Sequence, residues 1–208
     1  MPKKLTPEKV IEQLSEFIFT INAELDDDEA CVHNLDYIFE SNGWKLLSAQ
    51  GHFSRVYESP CEQYALKVNT INDIYPLYAY WSIAHPENPY LPNIYWHVSI
   101  DNYVFSWIKS VTLIEKLERL SIDKLFAHEE ISDLYIKSNE SYEDCLRNIL
   151  DNRLQVKDKL LDSVLIFIKQ IPSELRFELD FEKVHNYMLR GNQIVITDPI
   201  NTIDGIIL

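Results

Sequence analysis

Apolar residues recur at helical spacing near the start of the chain, at Val10, Leu14, Phe17 and Ile21. They follow Thr6-Pro7-Glu8, which supplies a capping hydroxyl, a proline suited to the first turn and an acid at the positive end of a helix. Leu35, Ile38 and Phe39 predict a second helix over residues 28–40 that stops at Asn42-Gly43, where glycine permits a left-handed cap. The pattern then shortens into aromatic and apolar runs. Residues 44–49, 53–58 and 63–69 predict strands, the last two joined by a turn through Ser59-Pro60. Residues 72–84 predict a helix interrupted or bent at Pro76. Residues 93–99 and 103–107 read as a hairpin across Asp101-Asn102. Beyond this the periodicity is helical, over 111–120, 129–138, 142–150 and 156–171. In the last of these, Leu160, Leu161, Val164, Leu165 and Ile168 line one face and Pro172 ends the run. The expected organisation is α+β: N-terminal helices over 1–43, a strand-rich lobe of five strands and one helix over 44–109, and a helical lobe over 110–208.

Composition narrows the functional classes. With 208 residues and 46% hydrophobic content, the chain is long and apolar enough to fold around a core. No run of about 18 apolar residues predicts a membrane span. Met1-Pro2-Lys3-Lys4 leads directly into a polar helix pattern, so no secretory leader is expected. Cys31, Cys61 and Cys145 are odd in number and widely separated, which fits reduced thiols in a cytosol better than a disulfide framework or a zinc site. The net charge of −14 disfavours direct binding to nucleic-acid phosphates, which needs lysine and arginine. The acids are scattered, with one run at Asp26-Asp27-Asp28-Glu29. They read as solvated surface, or as an acidic face for a basic partner protein.

Two stretches carry candidate chemistry. The first runs from Asp180 through Asn186, crosses a turn at Gly191-Asn192 between two short apolar runs, and ends at Asp198-Pro199. A hairpin of Tyr187-Met188-Leu189 against Ile194-Val195-Ile196 would bring Asn186 and Asp198 to one end, where two oxygen ligands can share a magnesium ion with nucleotide phosphates. An acid upstream would orient a nucleophile. The second stretch is Gly51-His52-Phe53-Ser54-Arg55-Val56-Tyr57, followed by Tyr64-Ala65-Leu66-Lys67-Val68. The chain has only four glycines, and Gly51 falls where backbone would approach a phosphate without a side chain in the way. Lys67, flanked by Ala65, Leu66 and Val68, is a cation in apolar surroundings, which calls for an anionic partner.

These phrases resemble a protein kinase, and in particular the small serine/threonine kinase-like proteins that lytic bacteriophages make early in infection. Ala49, Gly51 and Ser54 fall at the three glycine positions of the kinase phosphate loop, with Phe53 and Val56 in register. Tyr64-Ala65-Leu66-Lys67 matches the lysine-bearing strand, and Asp198-Pro199 stands where the family has Asp-Phe-Gly. The resemblance runs from Trp44 to Pro199, with a looser echo in Asn88-Pro89-Tyr90-Leu91-Pro92-Asn93-Ile94-Tyr95. It implies a compact two-lobed kinase-like fold with a truncated second lobe and an extra N-terminal helical segment. Only ten residues follow Asp198, where the family continues with an activation segment and further helices.

The resemblance also implies roles. ATP and magnesium are the cofactors. Gly51, Phe53, Ser54, Val56 and Ala65 cover the nucleotide, Lys67 positions phosphates, Asn186 and Asp198 hold the metal, and Asp180 orients the acceptor hydroxyl. Three departures stand out. The family sets its catalytic acid five residues before the asparagine, a position held here by Phe181, so Asp180 lies one further and Glu182 is the other acid within reach. No helix glutamate to pair with Lys67 is evident, since Asp73 comes at the helix start and Glu87 comes late. Two of the three loop glycines carry side chains. The expected function is ATP- and magnesium-dependent phosphorylation of serine or threonine on host proteins, in the bacterial host cytoplasm. The alternative is a pseudokinase that inhibits a host protein through its acidic surface. A small-molecule kinase is a third reading, and nothing marks a sugar pocket.

Overall fold

The computed structural model describes residues 5–24, 31–48, 54–69, 74–99, 108–140, 142–151, 153–154, 156–172, 175 and 177–202. The chain mixes helices with antiparallel sheets and divides into two compact units, Met1–Asn72 with Ile94–Lys116, and Asp73–Asn93 with Leu117–Leu208.

The first unit opens with helices α1 (Pro7–Glu24) and α2 (Cys31–Ser41). Gly43 ends α2 at φ 80°, a conformation that costs other residues because of their Cβ. The Gly43 and Trp44 amides return to the carbonyls of Glu40 and Phe39 at 2.9 and 3.0 Å, and the Phe39 and Trp44 rings meet edge to face at 6.1 Å. Such paired bonds with an apolar contact make a Schellman cap.

Five strands follow: β1 (Lys45–Ser48), β2 (Ser54–Glu58), β3 (Tyr64–Asn69), β4 (Ile94–Ser99) and β5 (Ser110–Glu115). They form one antiparallel sheet in the order β1-β2-β3-β5-β4. Strand alternation gives the sheet two unlike faces. Tyr57, Leu66, Val68, Val111 and Leu113 join Val10, Leu14, Leu35 and Phe39 in one buried core, with the Phe39 and Tyr57 rings stacked at 4.3 Å. That cluster seats the two helices on one face of the sheet.

Strand β5 corrects the expectation of a helix over 111–120. Ser-Val-Thr-Leu-Ile-Glu is buried at every position, so no alternation marks it as a strand. A continuous apolar run is equally at home in a buried helix, and only its β-branched residues favour the sheet. It also lies past the boundary expected at residue 109. The segment 103–107, expected to pair with β4, is outside the described residues; β4 pairs with β5.

In the second unit, α3 (Tyr75–Ala84) takes Pro76 into its first turn, so the proline starts the helix and does not bend it. Helices α4 (Ile122–Phe126), α5 (Glu129–Glu140), α6 (Tyr142–Leu150) and α7 (Lys159–Gln170) follow. Helix α7 buries Leu161, Val164, Leu165, Phe167 and Ile168, while Leu160, expected on that face, is 42% exposed. The Asp158 carboxylate caps α7, accepting from the Leu160 and Leu161 amides at 2.8 and 3.3 Å and from the Tyr90 hydroxyl at 2.6 Å. Two small sheets complete the unit. Strands β6 (Glu118–Arg119), β8 (Tyr187–Arg190) and β9 (Gln193–Ile196) form one, and β7 (Phe177–Leu179) with β10 (Ile200–Thr202) forms the other. Each unit holds one free, buried cysteine among the described residues, Cys61 in the first and Cys145 in the second. Among the described residues no helix is long and apolar enough to cross a membrane.

Candidate functional site

The second unit gathers Asp180, Asn186 and Asp198 through two strand pairings. Strands β8 and β9 form the expected hairpin, with Tyr187 opposite Ile196 and Arg190 opposite Gln193. Gly191, at φ 61°, takes the first turn position. One residue past the last pair, the Thr197 amide and hydroxyl both donate to the Asn186 carbonyl, at 2.8 and 3.1 Å. Strands β7 and β10 pair Leu179 with Ile200, and the Asp180 amide donates to the Pro199 carbonyl at 2.8 Å. Asp198 therefore sits between Thr197, bonded to Asn186, and Pro199, bonded to Asp180. The 88–92 segment braces the same hairpin: Arg190 donates to the Pro89 and Leu91 carbonyls at 3.2 and 2.9 Å, and Ile196 N–H donates to the Tyr90 carbonyl at 2.8 Å.

Asp180 and Asn186 are joined by a turn at Phe181-Glu182 and a single 3₁₀ turn, Val184–Asn186. Phe181, at the position where the kinase pattern has its acid, is fully buried. Asp180 is the acid that meets the asparagine. Asn186 Nδ2 donates to the Asp180 carbonyl and to Oδ2, both at 2.8 Å, while Lys183 Nζ lies 2.6 Å from Oδ1. Both side chains are buried, at 8% and 4% exposure. Both Nδ2 hydrogens are thus spent on Asp180, which leaves Oδ1 as the acceptor of that amide.

Charge is dense here. Burial pushes the Glu182 carboxyl up, and the neighbouring Asp180 charge adds to that. One Glu182 oxygen, Oε2, is buried without a hydrogen bond. Burial alone would lower the Lys183 ammonium, but Asp180 outweighs it, with smaller help from Glu182 and Asp198, and raises it. Burial lowers the His185 imidazole, so that residue favours its neutral form. Lys183 escaped the sequence reading, although its i+3 spacing from Asp180 was a usable signal.

An amide oxygen on Asn186 and a carboxylate on Asp198 fit a hard cation such as magnesium, which keeps waters and substrate oxygens for its remaining positions. Among the described residues no group of three or more histidines, cysteines or acids is arranged to hold a metal by itself.

The first unit carries the other candidates. Val56 lies opposite Lys67, Lys67 opposite Thr112, and Thr112 opposite His97; Ser54 pairs with Asn69, and Ala65 lies between Glu58 and Ile114. Partners across an antiparallel sheet share a face. Ser54, Val56, Ala65 and Lys67 thus lie together on the face opposite the helix-packed core, and Lys67 is 6% exposed. Nearby on that face, His97 Nδ1 and Thr112 Oγ1 share a hydrogen bond at 2.8 Å, and burial pushes the imidazole down to about 4. Gly51 and Phe53 lie outside the described residues. Helix α3, which follows β3 in sequence, contains no aspartate or glutamate. Comparison with protein-family models and with curated proteins finds no match to this chain.

Proposed function

We propose that this chain has a protein kinase-like fold and transfers phosphate from ATP, with magnesium, to serine or threonine of proteins. The observation that carries the reading is the double strand pairing that ties Asp180 to Pro199 and Asn186 to Thr197, with Asp198 between them. A lysine on the third of five strands, in line with Ser54, Val56 and Ala65, supports it from the other unit. Magnesium bound with ATP supplies charge neutralisation at the phosphates. Asn186 and Asp198 would hold that ion by oxygen, and Lys67 would position phosphate oxygens. Asp180 accepts a hydrogen bond from the acceptor hydroxyl. Lys183 and Asn186 keep its carboxylate oriented. The setting, by resemblance to early phage kinases, is the cytoplasm of an infected bacterium, with host proteins as acceptors. Radiolabelled transfer from ATP to bacterial lysate proteins tests this. Lys67→Ala and Asp198→Ala are expected to lose labelling, and equal labelling by all three proteins overturns the enzymatic reading.

A pseudokinase that binds and inhibits a host protein is the second reading. It is favoured by α3, which lacks an acid, and by the buried Phe181 at the catalytic position. Inhibition of the host by Asp198→Ala at wild-type strength would select it.

A further inference from the structure

Two residues outside the proposed chemistry, Tyr90 and Tyr78, bond to the strand that leads into Asp198. Ile196, at the end of β9, lies opposite Tyr187, yet its amide and carbonyl both bond away from β8. The amide donates to the Tyr90 carbonyl at 2.8 Å, and the carbonyl accepts from the Tyr78 hydroxyl at 2.5 Å. Thr197 then bonds back to Asn186. The backbone is thus tied on both edges immediately before Asp198, and Tyr78 is the one side chain among these ties that reaches in from α3.

Tyr78 is built for a fixed position. Its side chain is fully buried, with ring contacts to Tyr75 at 6.3 Å and Phe167 at 5.5 Å. Burial raises its hydroxyl well above the ordinary tyrosine range, so it remains a neutral donor. A kinase of the usual pattern uses a helix glutamate to pair the strand lysine. Helix α3 has no acid, and its polar attachment here is a hydroxyl-to-carbonyl bond on the strand that ends at Asp198.

We propose that Tyr78 is a positioning residue for Asp198: by holding the Ile196 carbonyl it fixes the backbone from which the Asp198 carboxylate projects, and so sets the magnesium concentration the site requires. This inference rests on the metal reading of Asp198.

The test is a thermal-shift titration of magnesium at saturating ATP on the full chain. Tyr78→Phe removes one oxygen and retains the ring. It is expected to raise the half-saturating magnesium concentration about tenfold, the scale of one lost hydrogen bond. Phe167→Leu removes a ring that packs on Tyr78 but leaves the hydroxyl. It is expected to lower the melting temperature while holding the magnesium midpoint within about twofold of wild type. The inference is overturned if Tyr78→Phe matches wild type in magnesium dependence, or if Phe167→Leu shifts the midpoint as much as Tyr78→Phe does. A wild-type protein with no magnesium-dependent nucleotide shift overturns the metal reading itself, and the role of Tyr78 with it. The wild-type curve therefore reports on the proposed function and the variant curves on the inference.

Discussion

The two units position their candidate residues by different physics. In the first, a side chain's face follows from strand alternation, so Leu66 enters the core while its neighbour Lys67 lies on the opposite face. In the second, the candidates flank short strands, and main-chain bonds between segments some distance apart bring them together. The lesson concerns robustness. A register slip in the first unit would exchange whole faces, which the hydrophobic core strongly opposes. The second unit depends on a few bonds at the ends of three- and four-residue strands, and single polar substitutions there carry more weight.

The sharpest way to break this comparison is to truncate across the sheet. Leu66→Ala, at a fully buried position, is expected to cost about 2–5 kcal/mol in denaturant unfolding. Val56→Ala, half-buried on the other face, is expected to cost about 1 kcal/mol or less. The reverse ranking would refute the assignment of faces. Next in size, Asn186→Ala removes two hydrogen bonds from a buried aspartate and is expected to cost about 1–3 kcal/mol by the same measurement. A negligible loss would show that the second unit does not lean on this contact.

The cap at Gly43 offers a smaller test. A Cβ there would meet Pro60 at 3.5 Å, an ordinary contact, so the positive φ alone is at issue. Gly43→Ala is expected to lower stability by about 1 kcal/mol. The smallest effect is visible only on acidification. His97 is held down to about 4 by burial from an ordinary 6.5, so the unfolded chain takes up its proton first as pH falls. Wild type should lose stability from this group between pH 6.5 and about 4, and none of it above 6.5. The melting temperature of His97→Gln minus that of wild type is expected to rise as pH falls across that window. A difference that stays constant with pH would remove His97 as the cause.

Legibility in the sequence followed the same divide. Local signals read well: Asn42-Gly43 named the end of α2, Gly191-Asn192 named the hairpin, and the periodicity and Pro172 outlined α7. Strand β5 did not read, because it is buried on both faces and its 2-residue period is invisible. Helix α4 passed unseen since five residues are too few to show a 3.6-residue period. In the site, the hairpin foretold that Asn186 and Asp198 share an end. The pairing of β7 with β10 was not foreseeable, since three-residue strands carry almost no pattern, and it is this pairing that draws Asp180 to Pro199. Six-residue spacing looked like a mismatch in sequence. In space Asp180 meets Asn186 through two hydrogen bonds across that spacing, with a 3₁₀ turn between them and Phe181 buried.

The two enclosed thiols offer a reporter that needs no added probe site. Cys61 answers for one half of the chain and Cys145 for the other. With Cys31 replaced by serine, the alkylation rate of each sulfur would time the opening of its own half. Peptide-resolved mass spectrometry would then reveal whether the halves unfold in one cooperative event or in sequence.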